Sequence, residues 1–252
     1  MVREIPRVLV LELSEMAPSG CLLEFLSQLS PEERRFFDGA ARLTQVGKGQ
    51  TVIGQGPGST DVYFIDEGVF QVLIYSKNGK QVSIRTLTRG DCFGELAALD
   101  HGRRSANVVA LISGRLVQVS GEVFTDLLKS SARAGFWLNK HFAAQIRVLT
   151  DRLFELSALN VPSRLHCELL RLGIHAGVKD NEARVVPAPT HTELANIIGT
   201  VREGVTREVG QLVKRGVLAR SGPDLVIRDI AELSRLVHRA IGDHVGPIAA
   251  PD

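Results

Sequence analysis

The chain has 252 residues, 44% hydrophobic and 23% charged, the balance of a protein with one large or two ordinary globular domains. A net charge of +2 excludes a nucleic-acid partner chosen by overall electrostatics, so a local basic patch would have to meet one. Three distant cysteines (Cys21, Cys92 and Cys167) without a CxxC exclude the spacing of an iron–sulfur or structural zinc motif. No apolar run reaches the roughly 20 residues a membrane span needs. Met1 to Leu13 contains Glu4, Pro6 and Glu12 and lacks the flank and cleavage site of a secretion signal. The expectation is a cytoplasmic protein with reduced thiols, no metal, no cofactor and no membrane contact.

Residues 1–21 read as an N-terminal extension. Leu22 to Ala41 carry apolar residues at helical spacing (Leu22, Leu23, Leu26, Leu29, Phe36 and Phe37), and Ser30-Pro31 marks the start of a second helix. From Leu43 to Val123 glycines recur, separating short β-rich runs at Thr51–Ile53, Val62–Ile65, Val69–Tyr75, Gln81–Leu87, Val108–Ile112 and Leu116–Val119. Short strands with glycine turns predict a small antiparallel roll over residues 22–123, with Asn78-Gly79 as a hairpin turn.

Val123 to Leu159 has no proline and no glycine after Gly135, which predicts one long helix over 124–159. Leu138, Phe142, Gln145, Leu149, Arg152, Leu156 and Leu159 alternate in threes and fours along it, an a/d seam that calls for a partner helix and hence a homodimer. Asn160-Val161-Pro162 interrupts the pattern and predicts a hinge over 160–163, with Asn160 capping the next helix. Residues 164–241 then read as helices and a short hairpin, ending in a helix over Asp229–Arg239, and 242–252 as a disordered tail. The fold class is α+β: an antiparallel β-roll, a long dimerisation helix and a C-terminal winged helix-turn-helix.

The densest chemistry lies in Phe93-Gly94-Glu95-Leu96-Ala97-Ala98-Leu99 and Arg103-Arg104-Ser105-Ala106. Gly94 permits close backbone approach, and a short helix starting there would direct free N–H groups at an anion. Arg104 offers a bidentate contact to a phosphodiester, Ser105 a hydroxyl donor, and Glu95 an acceptor suited to a ribose hydroxyl. Together they describe a nucleotide with one phosphate. The rival is a structural Glu95–Arg104 ion pair in a roll that binds nothing.

Thr190 to Leu218 carries a second signal. Thr190-x-x-Glu193 is a capping box, Gly199 a tight turn, and Thr200-x-x-Glu203 a further capping signal for a helix to about Arg215. Leu194, Ile197, Ile198, Val205, Val209 and Leu212 form its buried face, which makes a helix-turn-helix. Arg202, Glu203 and Arg207 lie in the first turns of the second helix, where arginine reads guanine and glutamate accepts from cytosine. Glu203 is alternatively a capping carboxylate. Ser221-Gly222-Pro223 is the turn of a wing hairpin.

Phe93 to Ala106 resembles the phosphate-binding cassette of the cyclic-nucleotide-binding domain, and Asp61 to Gly68 resembles a strand-turn segment of the same fold. Arg202 to Arg207 resembles the recognition helix of the catabolite activator protein family. The order of parts over residues 22–240 is similar to the Crp/Fnr superfamily. The resemblance implies that Arg104 pairs the cyclic phosphate, Ser105 bonds it, Glu95 holds the ribose 2′-hydroxyl, and Gly94, Leu96 and Ala97 line the ligand with backbone. It places Leu149 and Thr150 at the purine edge, where Leu149 departs from the expected polar residue. It implies cAMP as allosteric ligand, with cGMP or dual response as the alternative, or a regulator that has lost nucleotide control. It further implies a palindromic double-stranded DNA site with TGTGA-like half-sites, phosphate contacts from Thr190, Thr192, Thr200, Lys214 and Arg220, and RNA polymerase as a partner.

Two other classes compete. An enzyme finds no Ser-His-Asp grouping, metal spacing or Walker loop, and His141, His166, His175 and His191 read as surface or core residues. A haem or redox sensor has only Cys92 as a candidate axial ligand.

Overall fold

The computed structural model describes residues 21–75 and 81–241. The Asn78-Gly79 turn, the extension through residue 20 and the tail from residue 242 lie outside them. The described residues form two compact units, the first ending at Val148 and the second beginning at Leu149.

The first unit opens with helices α1 (Cys21–Ser27) and α2 (Pro31–Ala40). Ser30 caps α2 because its hydroxyl accepts from the Glu33 N–H and the Glu33 carboxylate accepts from the Ser30 N–H, with Pro31 in the first turn. Strands β1 (Arg42–Val46), β2 (Thr51–Ile53), β3 (Val62–Tyr75), β4 (Gln81–Leu87), β5 (Cys92–Phe93) and β6 (Asn107–Val119) follow, with helix α3 (Glu95–Asp100) between β5 and β6. They form one antiparallel sheet in the order β1-β6-β3-β4, with β2 on β6 and β5 on β3. Helix α4 (Gly121–Ser130) and the start of α5 (Ala132–Ala158) close the unit.

The antiparallel roll expected from the glycine spacing is present, with one change in how its strands are cut. The runs Val62–Ile65 and Val69–Tyr75 are a single bent strand, as are Val108–Ile112 and Leu116–Val119. Gly68 and Gly114, which read as turns, face each other where β3 crosses β6, and a Cβ on Gly68 would lie 2.7 Å from the Gly114 Cα. Glycine here serves close backbone approach at a bulge rather than chain reversal.

Two apolar clusters hold the unit. One, inside the sheet, joins Phe70, Leu87, Phe93 and Leu116. The other centres on Phe25 of α1, whose ring lies 5.0–5.9 Å from those of Phe37, Phe64, Phe124 and Trp137. Truncating such a buried ring to alanine costs about 3–5 kcal/mol, so α1 is part of the core.

The single helix expected over 124–159 is two helices. The break is at Ser131, whose hydroxyl accepts from the Ala134 N–H at 3.3 Å and donates to the Gln28 carbonyl at 3.3 Å. This serine starts a new helix and is anchored to the chain after α1, a non-local reason that periodicity cannot register.

The second unit contains the remainder of α5, then α6 (Val161–Ala176), β7 (Val178–Lys179), β8 (Glu182–Val185), α7 (His191–Ile198), α8 (Arg202–Lys214), β9 (Leu218–Ser221), β10 (Asp224–Ile227) and α9 (Ile230–Ile241). Asn160 caps α6, accepting from the Ser163 N–H at 3.0 Å with Pro162 in the first turn, as its sequence predicts. The wing is a four-stranded sheet in the order β7-β8-β10-β9, so a second hairpin over 178–185 joins the expected one. Its core gathers Leu165, Leu169, Leu194, Ile198, Val205, Leu212, Ile227 and Leu233.

The end of α5 is bound to α6 by charge. Arg152 donates to Glu168 at 2.6 Å, and Arg171 pairs with both Glu155 and Glu168. Arg152 therefore faces α6 and is not a member of an apolar seam. Upstream, Leu138 and Phe142 pack into the Phe25 cluster. The large apolar side chains left exposed on α5 are Phe136, Ile146, Leu149, Leu153, Phe154 and Leu156, of which Ile146, Leu149, Leu153 and Leu156 form a stripe three and four residues apart. The stripe is shorter than the expected seam and shifted from it, sharing Leu149 and Leu156 with it.

Candidate functional site

Gly94 starts the site. It caps α3 in the left-handed region (φ 93°), where a Cβ would lie 2.5 Å from the Asp61 carbonyl and 2.8 Å from Arg104 Nη1. Only glycine fits that geometry. The Arg104 guanidinium donates from Nη1 to the Gly94 carbonyl at 2.8 Å, and from Nη2 to the Asp61 carbonyl at 2.8 Å and to Ser59 Oγ at 3.3 Å. The backbone of Arg104 is fixed as well, exchanging two hydrogen bonds with Gly56 at 2.7 and 3.0 Å. Tyr63 and Phe93 stack at 5.1 Å in the same region.

Glu95 and Arg104 are both 5% exposed. Burial pushes the Glu95 carboxyl above the ordinary carboxylate value, opposed by its own backbone N–H, by Arg85, by a hydrogen bond from Gln145 and by Arg104. Burial also lowers Arg104, while Tyr63, Asp61 and Glu95 act the other way. A buried carboxylate and a buried guanidinium beside a glycine-opened turn can together bind a ligand carrying both an anion and hydroxyl groups.

Ala97 is buried, whereas Leu96 and Ser105 are exposed. Leu149 and Thr150 are exposed residues of α5 and belong to the second compact unit. Sequence reasoning missed Ser59 and Arg85, which belong to no motif, and the site roles of Asp61, noted only as the start of a strand-turn segment, and of Gln145, noted only as a seam position. It also missed Ser83 on β4, whose buried hydroxyl has no hydrogen-bond partner among the described residues. A small polar residue facing into a strand-rich run is the signal that would have found it.

The second unit carries a separate surface. Thr190 caps α7 in the predicted capping box with Glu193, and Gly199 ends α7 at φ 66°. Helix α8 differs from expectation at its start. Its N-cap is Val201, with no side-chain cap hydrogen bond, so Thr200 lies one residue too early for the predicted box. The Thr200 N–H instead donates to the Ala195 carbonyl in the turn. Glu203 therefore does not cap, and its carboxylate stands exposed beside Arg202 and Arg207 in the first turns of α8.

Thr192, Lys214 and Arg220 are exposed too. His191, which read as a bystander, is central: Arg220 Nη2 lies 2.6 Å from its Nε2, and its Nδ1 lies 2.8 Å from Thr206 Oγ1. Thr206 donates in turn to the Arg202 carbonyl at 3.0 Å. Deeper in the unit, His166 and Glu208, both buried, meet at 2.8 Å and tie α6 to α8. Among the described residues no helix is long and apolar enough to cross a membrane.

Comparison with known proteins bears on both surfaces. The family model of the cyclic nucleotide-binding domain matches residues 43–131, and that of the Crp-like helix-turn-helix domain matches residues 163–236. The chain is 25% identical over 189 residues to the CRP-like cAMP-activated global transcriptional regulator of Mycobacterium tuberculosis, covering 75% of this chain and 84% of that protein. It is 27% identical over 178 residues to the cAMP-activated global transcriptional regulator CRP of Salmonella typhimurium, covering 70% of this chain and 85% of that protein. The structure of FixK2 from Bradyrhizobium japonicum shares the fold, with a TM-score of 0.69 and 20% identity over 78% of this chain and 96% of that one.

Proposed function

The chain belongs to the Crp/Fnr family of transcription regulators, with a cyclic-nucleotide-binding domain ahead of a Crp-like helix-turn-helix, and from that premise we propose that it is a cytoplasmic homodimer whose binding to a palindromic DNA site is switched by cAMP. The observation that carries the reading is the buried Glu95 and Arg104 on either side of Gly94. A roll without a ligand has no need to bury a carboxylate that burial itself destabilises.

In this reading Arg104 and Ser105 bind the cyclic phosphate, Glu95 accepts from the ribose 2′-hydroxyl, and Gly94, Leu96 and Ala97 line the ligand with backbone. Thr150 and Leu149 face the purine edge. Arg202, Glu203 and Arg207 read base edges of a TGTGA-like half-site, while Thr190, Thr192, Thr200, Lys214 and Arg220 serve phosphates. The exposed leucines of α5 join two chains, so that two recognition helices meet a palindrome. RNA polymerase is the partner that turns DNA occupancy into regulation. The nucleotide acts by population shift, moving the DNA-competent form by its differential affinity for the two states.

cAMP is preferred because curated relatives are described as cAMP-activated. The apolar Leu149 favours a second reading, in which cGMP or both nucleotides act.

Titration calorimetry with cAMP and with cGMP, paired with salt-controlled gel shifts on a palindromic site, tests both. Expected are saturable binding of cAMP, nucleotide-stimulated DNA binding, and loss of both in Arg104→Leu with an unchanged circular dichroism spectrum. DNA binding indifferent to either nucleotide in the natural protein overturns the switch and leaves a regulator without nucleotide control.

A further inference from the structure

Beside the cassette, the first unit brings together three groups spread over 120 residues of the chain. Cys21 begins α1, Cys92 lies in β5 and His141 lies in α5, and their ligating atoms are all within 4.8 Å of one another. We propose that Cys21, Cys92 and His141 form a binding site for one thiophilic divalent metal ion of the zinc class, which clamps the N-terminal helix to the roll.

The geometry suits the ion. A tetrahedral zinc with sulfur at about 2.3 Å and imidazole nitrogen at about 2.0–2.1 Å sets those two atoms roughly 3.5 Å apart. Cys92 Sγ lies 3.5 Å from His141 Nε2. Each ligand is held by a fixed element. The Cys21 N–H donates to the Gly90 carbonyl at 2.8 Å, Cys92 pairs with Phe64 across β5 and β3, and Trp137 stacks on the His141 ring at 5.6 Å. Gln145, one turn along α5, places its carboxamide 2.5 Å from the same His141 nitrogen. Rotated about its last torsion, that carboxamide offers an oxygen as the fourth ligand.

Charge points to a divalent ion. Both cysteines are buried and His141 is partly exposed. Two thiolates with a neutral imidazole carry two negative charges, which a divalent ion cancels, and a neutral complex is the form that burial penalises least. Each thiol gives its proton to solvent as the ion binds. The partly exposed histidine is the way in. Cys167 is buried in the second unit and takes no part.

The test uses the full chain, reduced and freed of metal by chelation, with Co²⁺ as the probe. One equivalent per chain should produce intense tetrahedral bands in the visible and a thiolate-to-cobalt charge-transfer band in the near ultraviolet, both removed by Zn²⁺. Cys92→Ser and, separately, Cys21→Ser should lose the charge-transfer band while keeping the far-ultraviolet dichroism of a folded chain. Cys167→Ser should keep it. Zn²⁺ should also raise the unfolding temperature of the natural protein and leave that of Cys21→Ser, the variant at the helix terminus, unmoved. A weak octahedral spectrum, a band undiminished in both variants, or a Cys21–Cys92 disulfide in a protein that takes up no metal after reduction would overturn the assignment.

Discussion

Arg220 donates into the imidazole of His191, with Nη2 2.6 Å from Nε2. A ring that accepts from a guanidinium at one nitrogen must be neutral, and its other nitrogen then carries the proton and donates to Thr206 Oγ1 at 2.8 Å. Thr206 passes the polarity on to the Arg202 carbonyl at the start of α8. The wing strand, the first helix of the helix-turn-helix and the recognition helix are thus joined by one directional chain of hydrogen bonds.

This chain of bonds has a pH signature. Burial, with Arg220 and Arg202 nearby, holds His191 below the ordinary imidazole value. The unfolded chain therefore takes up the proton first as pH falls. The contribution of His191 to stability is complete above about pH 6.5 and is lost as pH drops through the lower folded value. Following the imidazole by NMR through a pH titration should give a midpoint below 6.5, moving upward in Arg220→Ala. A midpoint at or above 6.5 in the natural protein contradicts the arrangement.

Glu95 should trade stability for binding. Its folded carboxyl is raised by burial, so the stability tied to its protonated form is present at low pH and lost as pH rises through the folded value. Glu95→Gln removes the buried charge. Its unfolding midpoint should exceed that of the natural protein at neutral pH, with the gap closing below about pH 4, while affinity for cyclic nucleotide falls. Thermal unfolding across pH and calorimetric titration read the two effects. A less stable variant at neutral pH would show that Glu95 is held mainly by its protein partners.

The ion network of α5 and α6 should fail when one arm is cut. Arg171, pushed down to about 9 by burial and by Arg152, pairs with Glu155 and Glu168, and both carboxylates are buried. Arg171→Met leaves two buried carboxylates to share Arg152, at a cost on the order of 3 kcal/mol. Adding Glu155→Leu should restore much of it. Urea denaturation of the natural protein, the single variants and the double variant gives the coupling energy, and an additive double variant would refute the network.

Dimerisation should depend on the shifted stripe. Leu153 is 66% exposed, with Ile146, Leu149 and Leu156 beside it in helical register. Leu153→Asp should leave a folded monomer in analytical ultracentrifugation that binds a half-site weakly. Arg152, held by Glu168 and Glu155, is predicted to matter for stability and not for association. A dimeric Leu153→Asp protein would place the interface elsewhere.

What the sequence determined by itself is whatever closes within a few residues. Asn160 with Pro162, Thr190 with Glu193, and Gly199 each act on backbone groups no more than four positions away, so their residue types alone mark helix ends. The contiguous cassette from Phe93 to Ala106 and the run from Arg202 to Arg207 are legible for the same reason. Thr200 shows the limit, since a capping box shifted by one residue has the same letters but the wrong hydrogen bonds.

Tertiary structure alone decided the rest. The break at Ser131 depends on Gln28, the seat of Arg104 on Ser59 and Asp61, the crossing of Gly68 on Gly114, and the meeting of Cys21, Cys92 and His141 on three separate elements. Periodicity records which side of a helix or strand is apolar. It holds no information on which distant residue will arrive opposite, because that is fixed only when the whole core packs.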